Sequence, residues 1–324
     1  MEGYLRGYYG YKNFGDELLF FWASKRLFAK YPLTKLFVEV GDKSWMDDRV
    51  RENYQWLLSE KELKNITFVN AKQHRYKFIT HLVNFLGRGK YKKTFKFFGW
   101  WEVLSDERHF PHDGRNIPLL FNYSVKKWKF ILMGGIGKPN KSWTKKLYSY
   151  ILPKAEKILV RDKDSLEVAK KLNPENTVLY QDFAQEIIMN AECRMQTCLP
   201  VGKDSENKKY ILININKQSV DKKHIHKIIT FCLQYPDHKK IFFPCDMNDD
   251  QFCFSHIKKY VPGLEMYDWT KKPLEESLSL FYYADGGIWA RLHFLLPLKI
   301  YNKPIVAIPY ADKINKLINS GTRK

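Results

Sequence analysis

Tyr4-Leu-Arg-Gly-Tyr-Tyr-Gly-Tyr-Lys-Asn-Phe-Gly-Asp-Glu17 runs from a strand-like apolar segment, through a glycine-rich loop, into a helix-like segment that continues to Lys30. Gly7, Gly10 and Gly15 permit tight turns and close backbone approach, and Asp16 is placed to cap the helix that begins with Glu17 and Leu18. The loop is not a P-loop, because no Gly-Lys-Ser/Thr follows it, and it lacks the GxGxxG spacing of a dinucleotide site. Two readings remain: a ligand loop at the C-terminal end of a strand, or a glycine-rich turn with an ordinary Asp cap.

The same strand-to-helix alternation continues outward from this segment. Strand-like runs recur at 36–40, 129–133, 157–160, 177–180, 210–215, 240–243 and 304–308. Helix-like stretches lie at 16–30, 47–58, 75–86, 165–172, 222–235, 249–260, 273–283 and 312–319. Such a pattern predicts parallel sheets covered by helices. With 324 residues, the chain is long enough for two domains at roughly 100–200 residues each. Residues 183–209 carry the weakest pattern and end in the polar, turn-rich segment from Pro200 to Lys209. The expected lobes are therefore 1–190 and 205–324.

Hydrophobic residues make up 44% and charged residues 28%, the balance of a folded soluble chain. No run of 18 apolar residues is present, and the N-terminus lacks a signal-peptide layout. The expected location is cytoplasmic, with peripheral contact at the inner membrane face as an extension. The five cysteines (Cys193, Cys198, Cys232, Cys245, Cys253) form no CxxC pair, which fits reduced thiols better than disulfides or zinc, so no metal is expected.

The net charge of +20 favours anionic partners. Residues 71–150 hold 17 Lys/Arg, 4 Asp/Glu and 17 aromatics, densest at 87–101. A solvated basic face with its rings in the core, an anionic membrane surface contacted through 87–101 and single-stranded nucleic acid all fit this composition. Nucleic acid ranks last.

Four further segments carry candidate chemistry. Gly134 and Gly135 follow a strand, where backbone N–H groups can face a phosphate or sugar. Arg161, in Leu159-Val-Arg-Asp162, emerges at a strand end, where its fork suits carboxylate or phosphate; a local pair with Asp162 or Asp164 fits equally. Arg291 and His293, two apart in Gly287-Ile-Trp-Ala-Arg-Leu-His293, can face one pocket, Arg to hold an anion and His to move a proton; a satisfied core histidine is the alternative. Lys313 is expected in the first turn of the helix-like stretch 312–319, where a cation gains nothing from the dipole, so a functional reason stands beside an ordinary surface lysine.

Taken in order, these segments resemble the polysaccharide pyruvyltransferase family. The resemblance implies two Rossmann-like, GT-B-like lobes with the active site in the cleft between them. It also implies transfer of the enolpyruvyl group of phosphoenolpyruvate to a sugar, giving a cyclic pyruvate ketal on a cell-surface glycan or its lipid-linked precursor. By this resemblance His293 matches the catalytic acid/base, Arg161, Arg291 and Lys313 match groups that hold phosphoenolpyruvate, and Asn13 and Asp16 match a shared N-terminal loop. No cofactor is implied beyond phosphoenolpyruvate as co-substrate. Where the family usually carries three glycines, this chain has Gly134-Gly135-Ile136, and 87–101 has no family counterpart. Two alternatives stand beside this reading. One is a GT-B glycosyltransferase using a nucleotide sugar, with Glu275 or Glu276 as nucleotide ligand; the other is a non-catalytic protein that binds anionic glycan or nucleic acid.

Overall fold

The computed structural model describes residues 1–53, 56–71, 94–105, 116–180, 183–197 and 209–308. Lys313, the helix-like stretches 75–86 and 312–319, and residues 87–93 lie outside the described residues. The chain divides into two units, one of residues 1–11 and 16–183, the other of residues 12–15 and 184–324.

The first unit contains β1 (Glu2–Tyr9), α1 (Phe14–Lys30), β2 (Lys35–Val40), α2 (Lys43–Asn53), α3 (Glu60–Lys64), β3 (Ile66–Asn70), β4 (Phe95–Leu104), α4 (Ile117–Val125), β5 (Phe130–Ile136), α5 (Ser142–Ile151), β6 (Lys157–Val160), α6 (Lys163–Lys170) and β7 (Thr177–Leu179). Its seven strands are all parallel, in the order β3-β2-β1-β4-β5-β6-β7. Strand order reverses between β1 and β4, the arrangement of a doubly wound sheet. Every residue of β5 is buried, which is why Phe130-Ile-Leu-Met reads as a continuous apolar run and not as an alternating one. Asp162 caps α6 by accepting from the Ser165 N–H at 2.7 Å.

The second unit contains α7 (Phe183–Thr197), β8 (Tyr210–Ile213), α8 (Lys222–Leu233), β9 (Lys239–Phe242), α9 (Met247–Ile257), β10 (Glu265–Met266), α10 (Leu274–Tyr283), β11 (Gly286–Trp289), α11 (Leu292–Ile300) and β12 (Ile305–Ala307). Its sheet is also parallel throughout, in the order β10-β9-β8-β11-β12. Order reverses here between β8 and β11. Asp221 and Asp246 cap α8 and α9 through their carboxylates, as sequence-level N-cap preferences dictate.

Four expectations need correction. The stretch from Phe183, read as weakly patterned, forms helix α7. The described part of the basic, aromatic stretch is a central strand: Lys96, Phe97 and Phe98 of β4 are at most 2% exposed, so these three do not present to a membrane surface. Gly134 and Gly135 lie inside β5 and not in a turn after it. Asp16 does not cap α1, which begins at Phe14; it sits in the first turn with Glu17, where acidic charge favours the helix dipole.

Candidate active site

In the first unit, parallel pairing sends β1, β5 and β6 to the same C-terminal edge: Asp16 lies in the first turn of the helix after β1, Gly134 and Gly135 lie in the last residues of β5, and Arg161 directly follows β6. Asp16 is buried. Burial, with the Asp16 charge added to it, holds the Tyr9 phenol well above its usual range, and the Tyr9 hydroxyl donates to the Gly99 carbonyl. Opposite Gly134 and Gly135, strand β4 loses regular register twice, between Trp100 and Glu102 and between Glu102 and Leu104. Such bulges bend a strand and re-aim its residues. Ile136, standing where the family usually has a third glycine, turns its side chain into the core, and its N–H donates to Ser165 Oγ at 2.9 Å. The bulkier residue therefore fills core space and not loop space. Arg161 donates from Nε to Asp162 Oδ2 at 3.2 Å, the local pair that its sequence allowed.

In the second unit the candidate residues gather at the reversal of strand order. Arg291 is the N-cap residue of α11 and His293 lies in its first turn. Arg291 donates from Nε and Nη2 to Asp250 Oδ1 at 2.9 and 2.6 Å, and its backbone N–H donates to Asn214 Oδ1 at 3.1 Å. Asp250 is completely buried. Its other oxygen accepts from the N–H groups of Cys245 and Asp246 at 2.9 and 3.2 Å and from Asn214 Nδ2 at 3.4 Å. One carboxylate thus ties together the end of β8, the turn after β9 and the start of α11. Burial pushes the Asp250 carboxyl above the ordinary carboxylate range, with Arg291 pulling against it. The buried Asp250 charge strengthens proton retention by Arg291.

The glycine-rich loop reaches the same place, because residues 12–15 belong to this unit. Asn13 bridges Asp246 in antiparallel fashion, the Phe14 N–H donates to the Cys245 carbonyl at 2.8 Å, and the Met247 N–H donates to the Lys12 carbonyl at 3.1 Å. The Phe14 ring sits among Phe243, Trp269 and Phe281 at centroid distances of 5.0, 5.5 and 6.1 Å. The His293 ring rests directly on Gly15: a Cβ at Gly15 would lie 1.6 Å from His293 Nδ1. Gly15 is therefore a glycine because the imidazole occupies the space of its side chain.

The structure brings Asn13, Gly15, Arg291 and His293 together within this unit. Asn214 and Asp250 were missed by sequence reasoning. The available signals were an Asn directly after the apolar run Tyr210–Ile213, and the acidic residue four positions after the helix-capping Asp246. The arrangement offers a guanidinium with fixed aim, an imidazole in a fixed seat, and a helix start whose N-cap residue makes no side-chain cap bond. An arginine has donors only, and the uncapped start of a helix favours an anion. Glu275 accepts from Arg194 Nε at 3.0 Å and Glu276 pairs with Lys272 Nζ at 2.9 Å, so both are tied up at the start of α10. Among the described residues no group of three or more His, Cys, Asp or Glu is arranged to hold a metal ion, and no helix is long and apolar enough to cross a membrane.

Two parallel, doubly wound sheets, each with a reversal of strand order, define a GT-B-like α/β protein of two Rossmann-like units. The UDP-GlcNAc 2-epimerase from Neisseria meningitidis bound to UDP-GlcNAc has a similar fold, with TM-score 0.65 at 10% identity over 98% of this chain and 85% of that one. A co-structure of S. aureus MnaA with UDP gives TM-score 0.65 at 11% identity, covering 99% and 83% of the two chains. The Methanocaldococcus jannaschii UDP-GlcNAc 2-epimerase in complex with UDP-GlcNAc and UDP gives 0.59 at 10%, covering 100% and 94%. At such identities the likeness is one of fold. No curated protein matches the chain by sequence. The profile of the polysaccharide pyruvyl transferase family matches residues 13–240, and the chain belongs to that family. The match contains Asn13, Asp16, Gly134, Gly135 and Arg161; Arg291, His293 and Lys313 lie beyond it.

Proposed function

We propose that this protein transfers the pyruvyl group of phosphoenolpyruvate to a pair of sugar hydroxyls, forming a cyclic pyruvate ketal on a cell-surface glycan or its lipid-linked precursor. The observation that carries the reading is the start of α11. There Arg291 is aimed by the buried Asp250, and His293, two residues on, is seated on Gly15. The Arg291–Asp250 bond uses Nε and Nη2, so Nη1 is not committed to that carboxylate.

In the proposed reaction the donor's carboxylate or phosphate meets Arg291 and the start of α11. Asp250 offsets much of the Arg291 charge. Arg161 and Lys313, assigned by family resemblance, supply the remaining positive charge for a donor with two anionic groups. His293 protonates the C3 methylene, which becomes the methyl group and leaves C2 cationic. A sugar hydroxyl attacks C2, the C2–O bond to phosphate breaks, and a second hydroxyl closes the ketal. The two hydroxyls lose two protons in all. One balances the proton delivered to C3 and the other leaves with phosphate. A positioned acid of this kind contributes roughly 10²–10⁴-fold in rate.

The test is phosphate release from phosphoenolpyruvate with a panel of nitrophenyl and lipid-linked sugars. A second reading, a nucleotide-sugar enzyme, is favoured by one observation: the similar folds hold UDP or UDP-GlcNAc. Thermal shift separates the two readings, since a ligand that binds only the folded state raises apparent stability. Phosphoenolpyruvate is expected to raise the melting temperature and UDP to leave it unchanged; the reverse result favours the nucleotide-sugar reading.

A further inference from the structure

Helices α4 and α5 bury one side of each in the core of the first unit and expose a set of large apolar side chains on the other. Phe121 is 36% exposed, Val125 51%, Trp143 47% and Tyr150 37%. They form one surface. Phe121 and Val125 are four apart on α4, Trp143 and Tyr150 are seven apart on α5, and both spacings keep residues on one helix face. The Phe121 and Tyr150 rings meet across the two helices at 5.2 Å. Lys154 Nζ lies 3.2 Å from the Tyr150 ring centre, and Lys145 and Lys146 are exposed on the same helix as Trp143. Residues 116–155 contain eight lysines and no aspartate or glutamate; the next residue, Glu156, pairs with Lys129 Nζ at 2.9 Å.

We propose that the outer face of α4 and α5 docks this protein on an anionic lipid bilayer. Exposed rings beside lysines, on two helices that carry no acidic residue, match a surface where aromatics settle at headgroup level and ammonium groups meet lipid phosphates. Val125 and the outward-facing helix pair favour lipid over a nucleic acid strand, which takes rings for stacking along a groove. The face is distinct from 87–101, where Lys96, Phe97 and Phe98 are core residues. It does not depend on the reaction proposed above.

The experiment is co-sedimentation of the full chain with phosphatidylcholine vesicles, with and without phosphatidylglycerol, at low and high salt. Two variants accompany it: Trp143→Ser with Tyr150→Ser, and Lys145→Glu with Lys146→Glu. Circular dichroism checks that each is folded. Wild type is expected to partition onto the phosphatidylglycerol vesicles, less so in high salt, and each double variant to partition about tenfold more weakly. Exposed lysines are unlike core residues in tolerating substitution, so the charge-reversal pair keeps the test decisive if the ring variant misfolds. The proposal is overturned if wild type stays in solution at low salt, or if the folded variants partition like wild type. Tight binding of an oligonucleotide that both variants abolish, without vesicle binding, overturns it too.

Discussion

Arg291 owes its aim to a carboxylate that solvent does not reach. Asp250 takes both of its bonds from the guanidinium while also accepting from three other groups. Removing that carboxylate leaves a largely buried cation without its partner. Asp250→Ala is therefore expected to lower unfolding free energy by about 3–5 kcal/mol in a denaturant titration. Asp250→Asn, which keeps the shape and an acceptor oxygen but not the charge, should lose clearly less; an equal loss would show that the charge alone, and not the shape or the acceptor, holds Arg291. Gly15→Ala puts a methyl group where the His293 ring lies. The expected result is a fall in kcat of roughly 10–100-fold with a smaller change in KM, the pattern of a displaced acid; an unchanged kcat would mean that the seat is irrelevant to turnover. Burial pushes the Cys232 thiol up to about 11 and Cys253 up to about 12. An unfolded thiol ionises near 8.5. A raised folded value means that the contribution is intact below about pH 8.5 and is lost as pH rises through about 11. Melting temperature should accordingly decline across that window, and Cys232→Ser should flatten part of the decline.

At the scale of elements, the loop after β1 is the least expected component. Its four residues, 12–15, are fixed by backbone bonds to the turn after β9 and by one inserted ring. Phe14→Ala removes that ring from Phe243, Trp269 and Phe281 and should destabilise the protein by about 3–5 kcal/mol. Thermal melting of the variant, read beside its phosphate release, checks this; a loss below about 1 kcal/mol would mean that the ring is not an anchor. Local sequence could locate this loop, through its glycines and its Asp-Glu pair, but not its destination, because docking against residues 245–247 depends on partners more than 230 positions away. Strand β4 was hidden for another reason. Lys96 interrupts the apolar run, and only the fold shows its ammonium 5.4 Å from the Tyr4 ring centre and 5.2 Å from that of Trp128. Stretches such as Phe130–Met133 and Tyr210–Ile213 were legible because burial on both sides demands unbroken apolar sequence.

At the scale of the whole molecule, alternating strands and helices were enough to indicate parallel α/β architecture, and two sheets with a reversal of strand order bear it out. Among the candidate residues, the pair Arg291 and His293 was visible as two polar groups at a strand end. The buried Asp250 and Asn214 were not, since an acidic residue near a helix start ordinarily reads as a solvated cap. The proposed step on which turnover turns is proton delivery from His293 to phosphoenolpyruvate. It is tested most directly by measuring acceptor-dependent phosphate release for wild type and His293→Ala, with phosphoenolpyruvate binding followed in parallel by thermal shift. Release is expected to fall roughly 10²–10⁴-fold while the ligand-induced shift persists; release at the wild-type rate from the variant would rule out His293 as the acid.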